Sequence, residues 1–401
     1  MSAEAADNPG RALIVESASD PGALAASRAL RAAGWTVGVA SSHSPHLAAA
    51  SNSVSHRHRI TGPAVNLNDF VAGVNAAIDS EGYDVVFPGW GDAETIALSM
   101  RREEIDAIVP FCAHDQLLRV FDKLALGKAA TDSGIRVPET RLACEATLSE
   151  LHFPLLVKPR LHSPLSKDGG PTRMPAAVAT NPTEARSHID RIRSHGGEPI
   201  LQDWISGQLG AFIAVTDRDS RILARAQQLS ERTWPPDAGR TARAISTPVD
   251  EELSERVQSL LRNLGWRGLV QIQFIFEPSS SPKLIDFNGR FFGSLSLAIA
   301  GGPNLPAIWA ASATGQTPPP GGDAPPGYRY QSLDSDLRRA RAERRGGLLR
   351  DVRGCLQYAS RADAQDLWDR RDPFPLLRQN ASIARSFGKR RVRMLRSALS
   401  D

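Results

Sequence analysis

Residues 284–294 read LIDFNGRFFGS. Leu284 and Ile285 lead in, Asp286, Asn288 and Arg290 then occupy alternate positions, and small residues follow. Successive side chains of a β-strand leave opposite faces, so a strand here places Asp286, Asn288 and Arg290 on one face. Three polar groups on one face, next to an apolar lead-in, describe a site rather than a core. Working outward, GLVQIQFIFEP (268–278) is a second strand. It joins KLIDFNGR through a serine run as a hairpin, which lets Gln273 converge with Asp286 and Asn288. Oxygen ligands of this kind suit Mg²⁺, which takes one or two carboxylates and completes its octahedron with water and phosphate.

Basic partners lie upstream. Lys123 begins a helix, and Lys158 ends the strand FPLLVKP (153–159). The run RLHSPLSKDGGPTRM that follows reads as a mobile loop, with Lys167, Gly169 and Gly170 as its best phosphate contacts. A lone strand-end lysine is ordinarily a surface residue. Two lysines, loop N–H groups and a Mg²⁺ site in this order form a set able to hold a triphosphate without a P-loop.

The chain has 401 residues, which argues two or three packed units. Its hydrophobic share of 41% and charged share of 23% are ordinary for a soluble globular protein. Across residues 1–115, RALIVES, WTVGVASS, YDVVFPG and AIVPF alternate with helical stretches, predicting a doubly wound parallel α/β domain. No GxGxxG follows the first strand and no GxxxxGK[ST] occurs, so a dinucleotide site or P-loop is unsupported. Residues 116–320 form a second domain, mixing helices with hairpins, whose smaller lobe covers about 140–205. TPPPGGDAPPG (317–327) reads as a linker, and 321–401 as a basic, mainly helical segment.

Several function classes recede. Cys112, Cys144 and Cys355 lie far apart and read as free thiols of a reducing cytosol. No signal peptide is evident, and the mild apolar stretch 293–315 is broken by Gly and Pro, so a cytoplasmic protein without membrane spans is expected. His43, His46, His56 and His58 occupy a Ser-rich connection, which reads as a surface loop rather than a metal site. Arg385, Lys389, Arg390, Arg391, Arg393 and Arg396 crowd the end of the chain. Without interleaved aromatics they read as a solvated face, and nucleic acid is not the expected partner.

The order of these residues resembles the ATP-grasp superfamily over about residues 10–320. FDK and FPLLVKP are similar to the segments that carry its two phosphate-contacting basic residues, here Lys123 and Lys158. LQDWISG (201–207) looks like its hinge strand, with Gln202, Asp203, Trp204 and Ile205 around the adenine edge. Gln208 stands where a ribose-binding Glu is frequent, and Ile275 resembles the apolar floor under adenine. FNGRFFGSLSLAIAGGPNLP is similar to the NPRfxGS…aGxxxP segment of the branch related to carbamoyl-phosphate synthetase and amino-acid ligases. Gln273 and Asp286 stand where two Glu, or an Asp and a Glu, are frequent, and Gly289 replaces a usual proline.

The resemblance implies an N-terminal α/β domain followed by a two-lobed ATP-grasp fold. It implies ATP as substrate, Mg²⁺ (Mn²⁺ may substitute) at Gln273, Asp286 and Asn288, and Arg290 facing the transferred phosphoryl group. The implied reaction is carboxylate–amine ligation through an acyl phosphate, with an amino acid or small peptide as one substrate. The alternative is a non-catalytic ATP-binding or regulatory protein on the same scaffold. Arg225, Arg232, Arg240 and Arg243 are basic candidates for facing the reaction centre. Dimers are common in the superfamily, so a homodimer is compatible with the resemblance.

Overall fold

The structure, a computed structural model, describes residues 9–17, 20–42, 47–89, 91–144, 151–161, 163, 174, 176–236, 239–278 and 280–381. Strands β1 (Arg11–Glu16), β2 (Thr36–Ser41), β3 (His56–Arg59) and β4 (Val85–Pro88) form a parallel sheet in the order β3-β2-β1-β4. Ala12 to Val15 are wholly buried, as expected of a parallel strand covered on both faces. Helix α1 (Pro21–Ala32) follows β1; the Asp20 carboxylate caps it by accepting from the Gly22 N–H at 2.7 Å. Helices α2 (Leu67–Glu81) and α3 (Asp92–Met100) complete the doubly wound unit that the sequence predicts.

Two local expectations differ from the structure. AIVPF is not a full strand, since only Ile108 bridges to Val85. The carbonyls of Val109, Phe111 and Cys112 instead accept from the Arg102 guanidinium at 2.9, 2.7 and 2.7 Å, and Pro110 has no N–H to give. His56 and His58 lie on edge strand β3 rather than in a loop; His58 Nε2 is 2.8 Å from the Tyr83 hydroxyl.

The helical stretch after residue 113 divides into α4 (His114–Phe121) and α5 (Lys123–Asp132). Asp122 leaves the helical conformation between them and accepts from the Leu124 and Ala125 N–H groups, opening α5 at Lys123. Next comes an antiparallel sheet of β5 (Thr140–Leu142), β6 (Leu155–Pro159), β7 (Ala177–Ala179) and β8 (Pro199–Asp203), in the order β5-β8-β6-β7. With α6 (Pro182–Ser194) it encloses its own apolar cluster, including Val157, Ile189 and Leu201.

The largest sheet contains β9 (Gln208–Thr216), β10 (Ile222–Trp234), β11 (Arg240–Thr247), β12 (Gly268–Phe276) and β13 (Lys283–Asn288). Helices α7 (Glu251–Leu264), α8 (Leu295–Ile299) and α9 (Leu305–Ala313) accompany it. The chain beyond residue 320 adds to this same sheet. β14 (Gly322–Asp323) pairs with β10, β15 (Arg329–Gln331) with β11, and β16 (Ala364–Gln365) with β15. The 317–327 run is therefore not a free linker. Ala324 is buried, and its N–H donates to the Arg225 carbonyl at 2.9 Å. Helices α10 (Leu333–Glu343) and α11 (Leu348–Ala359) pack nearby. Among the described residues no helix is long and apolar enough to cross a membrane.

An aromatic contact joins the first domain to the second immediately beside the LIDFNGR strand. Phe87, Phe291 and Trp309 are all but fully buried, with ring centroids 4.7 to 5.5 Å apart. Edge-to-face and tilted pairs at such distances add about 0.5–1.5 kcal/mol each beyond area burial. Phe291 is thus anchored in the core, and Arg290 is held next to it.

Candidate active site

β12 and β13 pair antiparallel, with Gln271 opposite Asn288 and Gln273 opposite Asp286. The register shifts between Gln273 and Phe274, so that Phe274 faces Leu284 and Ile285 is the extra residue of a bulge. The bulge lets Phe274 and Leu284 stay in the core while Gln273 and Asp286 face solvent. Among the described residues, no hydrogen bond engages the Gln273 or Asp286 side chain, which leaves two oxygen donors available across one ladder rung.

Arg290 is held on three sides. Its Nε donates to Asp92 Oδ1 at 2.9 Å, one Nη to Asn288 Oδ1 at 2.9 Å, and the other to the Phe291 carbonyl at 3.2 Å. Both charged partners are 7% exposed. Asp92 comes from the first turn of α3, so this buried ion pair crosses between domains. Behind it, Asn288 donates to Gln271 Oε1 at 3.3 Å, and Gln271 and Gln228 both donate to Ser294 Oγ, at 3.4 and 2.9 Å. A connected buried network of this kind fixes side-chain orientation. Gln271 carried a signal, because it alternates with Gln273 on β12. Ser294 carried one as the serine of the FNGRFFGS stretch, whereas Asp92 and Gln228 carried none.

Lys158 ends β6 at 8% exposure and donates to Gln202 Oε1 at 2.7 Å; Gln202 in turn donates to Thr140 Oγ1 at 3.0 Å. Burial pulls the Lys158 ammonium down to about 8, with Asp286 opposing and Lys123 adding to the effect. Lys123 is brought to this wall by its own backbone, whose N–H donates to the Arg160 carbonyl at 3.2 Å. Arg160 also pairs with Asp122 at 2.6 Å, tying α5 to the end of β6. A water-sized recess of about 10 Å³ is lined by Asp92, Lys123 and Asp286 together.

These groups open on one cleft of about 830 Å³, within the range of small-molecule sites. Every residue nominated for ATP, metal or catalysis that the structure describes lines it: Lys123, Lys158, Gln202, Asp203, Trp204, Ile205, Gln208, Gln273, Ile275, Asp286, Asn288 and Arg290. Lys167, Gly169 and Gly170 lie outside the described residues, as do His43, His46 and the basic run 385–396. After β8, among the described residues, no hydrogen bond engages the backbone of Trp204 or Ile205, so that edge is available to a ligand. Gly207 lets the hinge approach β12, since a Cβ there would meet Ile275 Cγ2 at 2.5 Å and the Phe276 carbonyl at 2.7 Å. Gln208 Nε2 is engaged with the Ser230 carbonyl at 3.1 Å.

Arg232 and Arg240 line the cleft, whereas Arg225 and Arg243 do not. Arg225 is drawn away by Glu251 and Asp323, and Arg243 by Asp336 and the Tyr358 ring. Tyr330, Ser332, Arg339 and Asp366, from the C-terminal segment, complete the far end.

The donor set fits a hard divalent cation. Asp286 offers a carboxylate, Gln273 an amide oxygen beside it, and Asn288 an amide oxygen from the same face. Among the described residues no cluster of three His, Cys, Asp or Glu side chains occurs.

A family model described as "ATP-grasp in the biosynthetic pathway with Ter operon" matches residues 232–335. The chain is 25% identical over 148 residues to phosphoribosylamine–glycine ligase of Leptospira interrogans, a match covering 32% of this chain. The chain spans about a third, 35%, of the length of that curated relative. Among solved structures it superposes on L-amino acid ligase from Bacillus licheniformis with a TM-score of 0.60 at 12% identity, covering 79% of this chain and 76% of that one. Biotin carboxylase of Campylobacter jejuni gives 0.59 at 14% identity, covering 77% and 72%. N5-carboxyaminoimidazole synthetase of Staphylococcus aureus, complexed with ADP, gives 0.57 at 12%, covering 78% and 79%.

Proposed function

We propose, from its likeness to ATP-grasp proteins, that the chain is a cytoplasmic ATP-dependent carboxylate–amine ligase of that superfamily with an amino acid or small peptide among its substrates. The observation that carries this reading is the convergence of Lys123, Lys158 and Arg290 on the Gln273–Asp286 rung, beside the open hinge backbone at 204–205.

In this reading Lys123 and Lys158 neutralise phosphate oxygens while Trp204 and Ile205 present backbone to the adenine edge. Asp286, Gln273 and Asn288 would hold Mg²⁺ or Mn²⁺, which when bound screens the β- and γ-phosphates. A substrate carboxylate oxygen attacks the γ-phosphorus and the bond to the β-bridging oxygen breaks, releasing ADP and leaving an acyl phosphate. The lone pair of an amine nitrogen then forms the C–N bond. The acyl C–O bond breaks, phosphate leaves with the electron pair, and the nitrogen loses one proton to solvent. Arg290, oriented by Asp92 and Asn288, faces the charge that develops on the phosphoryl and acyl oxygens; losing one such donor commonly costs about 10²–10³ in rate. The single carboxylate of the rung, with Gln208 engaged by Ser230, favours a second reading, nucleotide binding without turnover.

Release of ADP from MgATP, measured with pools of amino acids and small carboxylates and with product masses, separates the two. A ligase gives pool-dependent ADP and a mass equal to two pool members minus water, both lost in Asp286→Ala. Tight MgATP binding with no pool-dependent ADP supports the second reading.

A further inference from the structure

The part of the cleft lined by the C-terminal segment presents two opposite charges that are not paired with each other. Arg240 lines it at 68% side-chain exposure, with one Nη on Asp20 at 3.1 Å. Among the described residues its Nε and other Nη meet no acceptor. The neighbouring cations differ: Arg339 is taken up by Glu343 and the Thr233 carbonyl, and Arg232 by Asp336 and Glu343. Asp366 lines the same cleft, and its Oδ1 accepts from the Leu367 N–H at 2.9 Å. No ion pair joins Asp366 and Arg240, and both stand near enough to Tyr330 to act electrostatically on its hydroxyl.

This end adjoins the centre of the site. The Tyr330 hydroxyl donates to the Gly293 carbonyl at 3.1 Å, three residues after Arg290. The Ser296 hydroxyl donates to the Gln365 carbonyl at 3.1 Å, fastening β16, and with it Asp366, to α8.

Resting on the ligase reading, we propose that Arg240 and Asp366 form the subsite for a zwitterionic amine substrate, an α-amino acid. Arg240 takes its carboxylate and Asp366 its ammonium. The segment beyond residue 320 is then part of the active site and selects the nucleophile. A planar guanidinium with two free donors matches a carboxylate, and an acceptor-only carboxylate matches an ammonium.

The test compares the full-length wild type, Arg240→Gln and Asp366→Asn with MgATP and a mixture of the common amino acids, with and without hydroxylamine. Hydroxylamine is small and uncharged near neutral pH, so it traps an acyl phosphate as a hydroxamate without using the subsite. Both variants are expected to form hydroxamates within about threefold of wild type and to lose at least about tenfold in amide formation through a raised KM for the amine. Arg240 is exposed, so its replacement leaves the core intact, and it carries a sharper readout. Wild type should prefer free amino acids to their carboxamides as the amine, and Arg240→Gln should erase that preference. Unchanged amide formation, or hydroxamate lost in step with amide, overturns the subsite while the ligase reading stands. No hydroxamate and no amide from wild type removes the ligase reading and the subsite with it.

Discussion

Raising the pH should weaken nucleotide binding through one residue. Lys158 is all but buried at the end of β6, and burial pulls its ammonium down to about 8. Lowering the pKa of a cationic acid means that the charge is present below pH 8 and lost above it. If the charged form is the one that binds phosphate, affinity follows the protonated fraction of the free enzyme. That fraction is about 0.9 at pH 7 and about 0.1 at pH 9, a loss of roughly tenfold, or about 1.4 kcal/mol. The terminal phosphate ionises near pH 6 and is fully charged throughout this window, so the ligand contributes no compensating change. Calorimetric titration of MgATP without other substrates, from pH 6.5 to 9.5 at constant free Mg²⁺, measures it. Lys158→Arg stays charged and should give a flat profile across pH 7–9. Lys158→Met should bind at least about tenfold more weakly at pH 7 and also be flat. A wild-type affinity unchanged between pH 7 and 9, or a decline that persists in Lys158→Arg, would refute the assignment.

Three other perturbations probe the supports of the site. Gly289→Ala places a Cβ 2.1 Å from the ring of the fully buried Trp266, which packs edge-on to Phe287. It should cost about 1–3 kcal/mol in urea unfolding, and an unchanged midpoint would contradict that crowding. Asp92→Ala leaves the buried Arg290 charge without its partner, a loss of about 3–5 kcal/mol. Turnover should collapse while MgATP affinity holds, and loss of nucleotide affinity instead would mean that Arg290 serves binding. Gln273→Glu adds a second carboxylate opposite Asp286 and should lower the Mg²⁺ concentration needed for half-maximal ADP release severalfold. A higher requirement would show that this rung does not hold the ion.

What could be read from the sequence was local. Alternation in LIDFNGR follows from strand geometry for Asp286 and Asn288; β13 ends at Asn288, and Arg290, in the bend beyond it, lines the same cleft while held by Asp92 and Asn288. The partner of Arg290 could not be read in the same way. Asp92 lies 198 positions away and arrives through the docking of one domain on another over Phe87, Phe291 and Trp309. The same limit explains the linker. Pro and Gly in 317–327 signal the absence of a helix, but composition does not reveal that β10 offers a backbone carbonyl to Ala324. Tyr330 and Asp366 have no motif for a related reason: their meaning depends on which wall β15 and β16 extend.

The departures from the family pattern gain a physical sense once the charges are placed. Arg290 is already balanced by Asp92, so among the residues proposed to meet phosphate and metal the open charges are Lys123 and Lys158 against Asp286. An acid at position 273 would bring that count to neutrality; the amide leaves it one charge positive. A positive wall attracts a polyanion more strongly and a bare divalent cation more weakly. The ion is then expected to enter with ATP rather than ahead of it. Mg²⁺ titrated into the protein alone should give no measurable heat, and the same titration with ATP present should saturate. Tight binding of Mg²⁺ by the protein alone would show that the amide at 273 and the carboxylate at 286 form a sufficient cage by themselves.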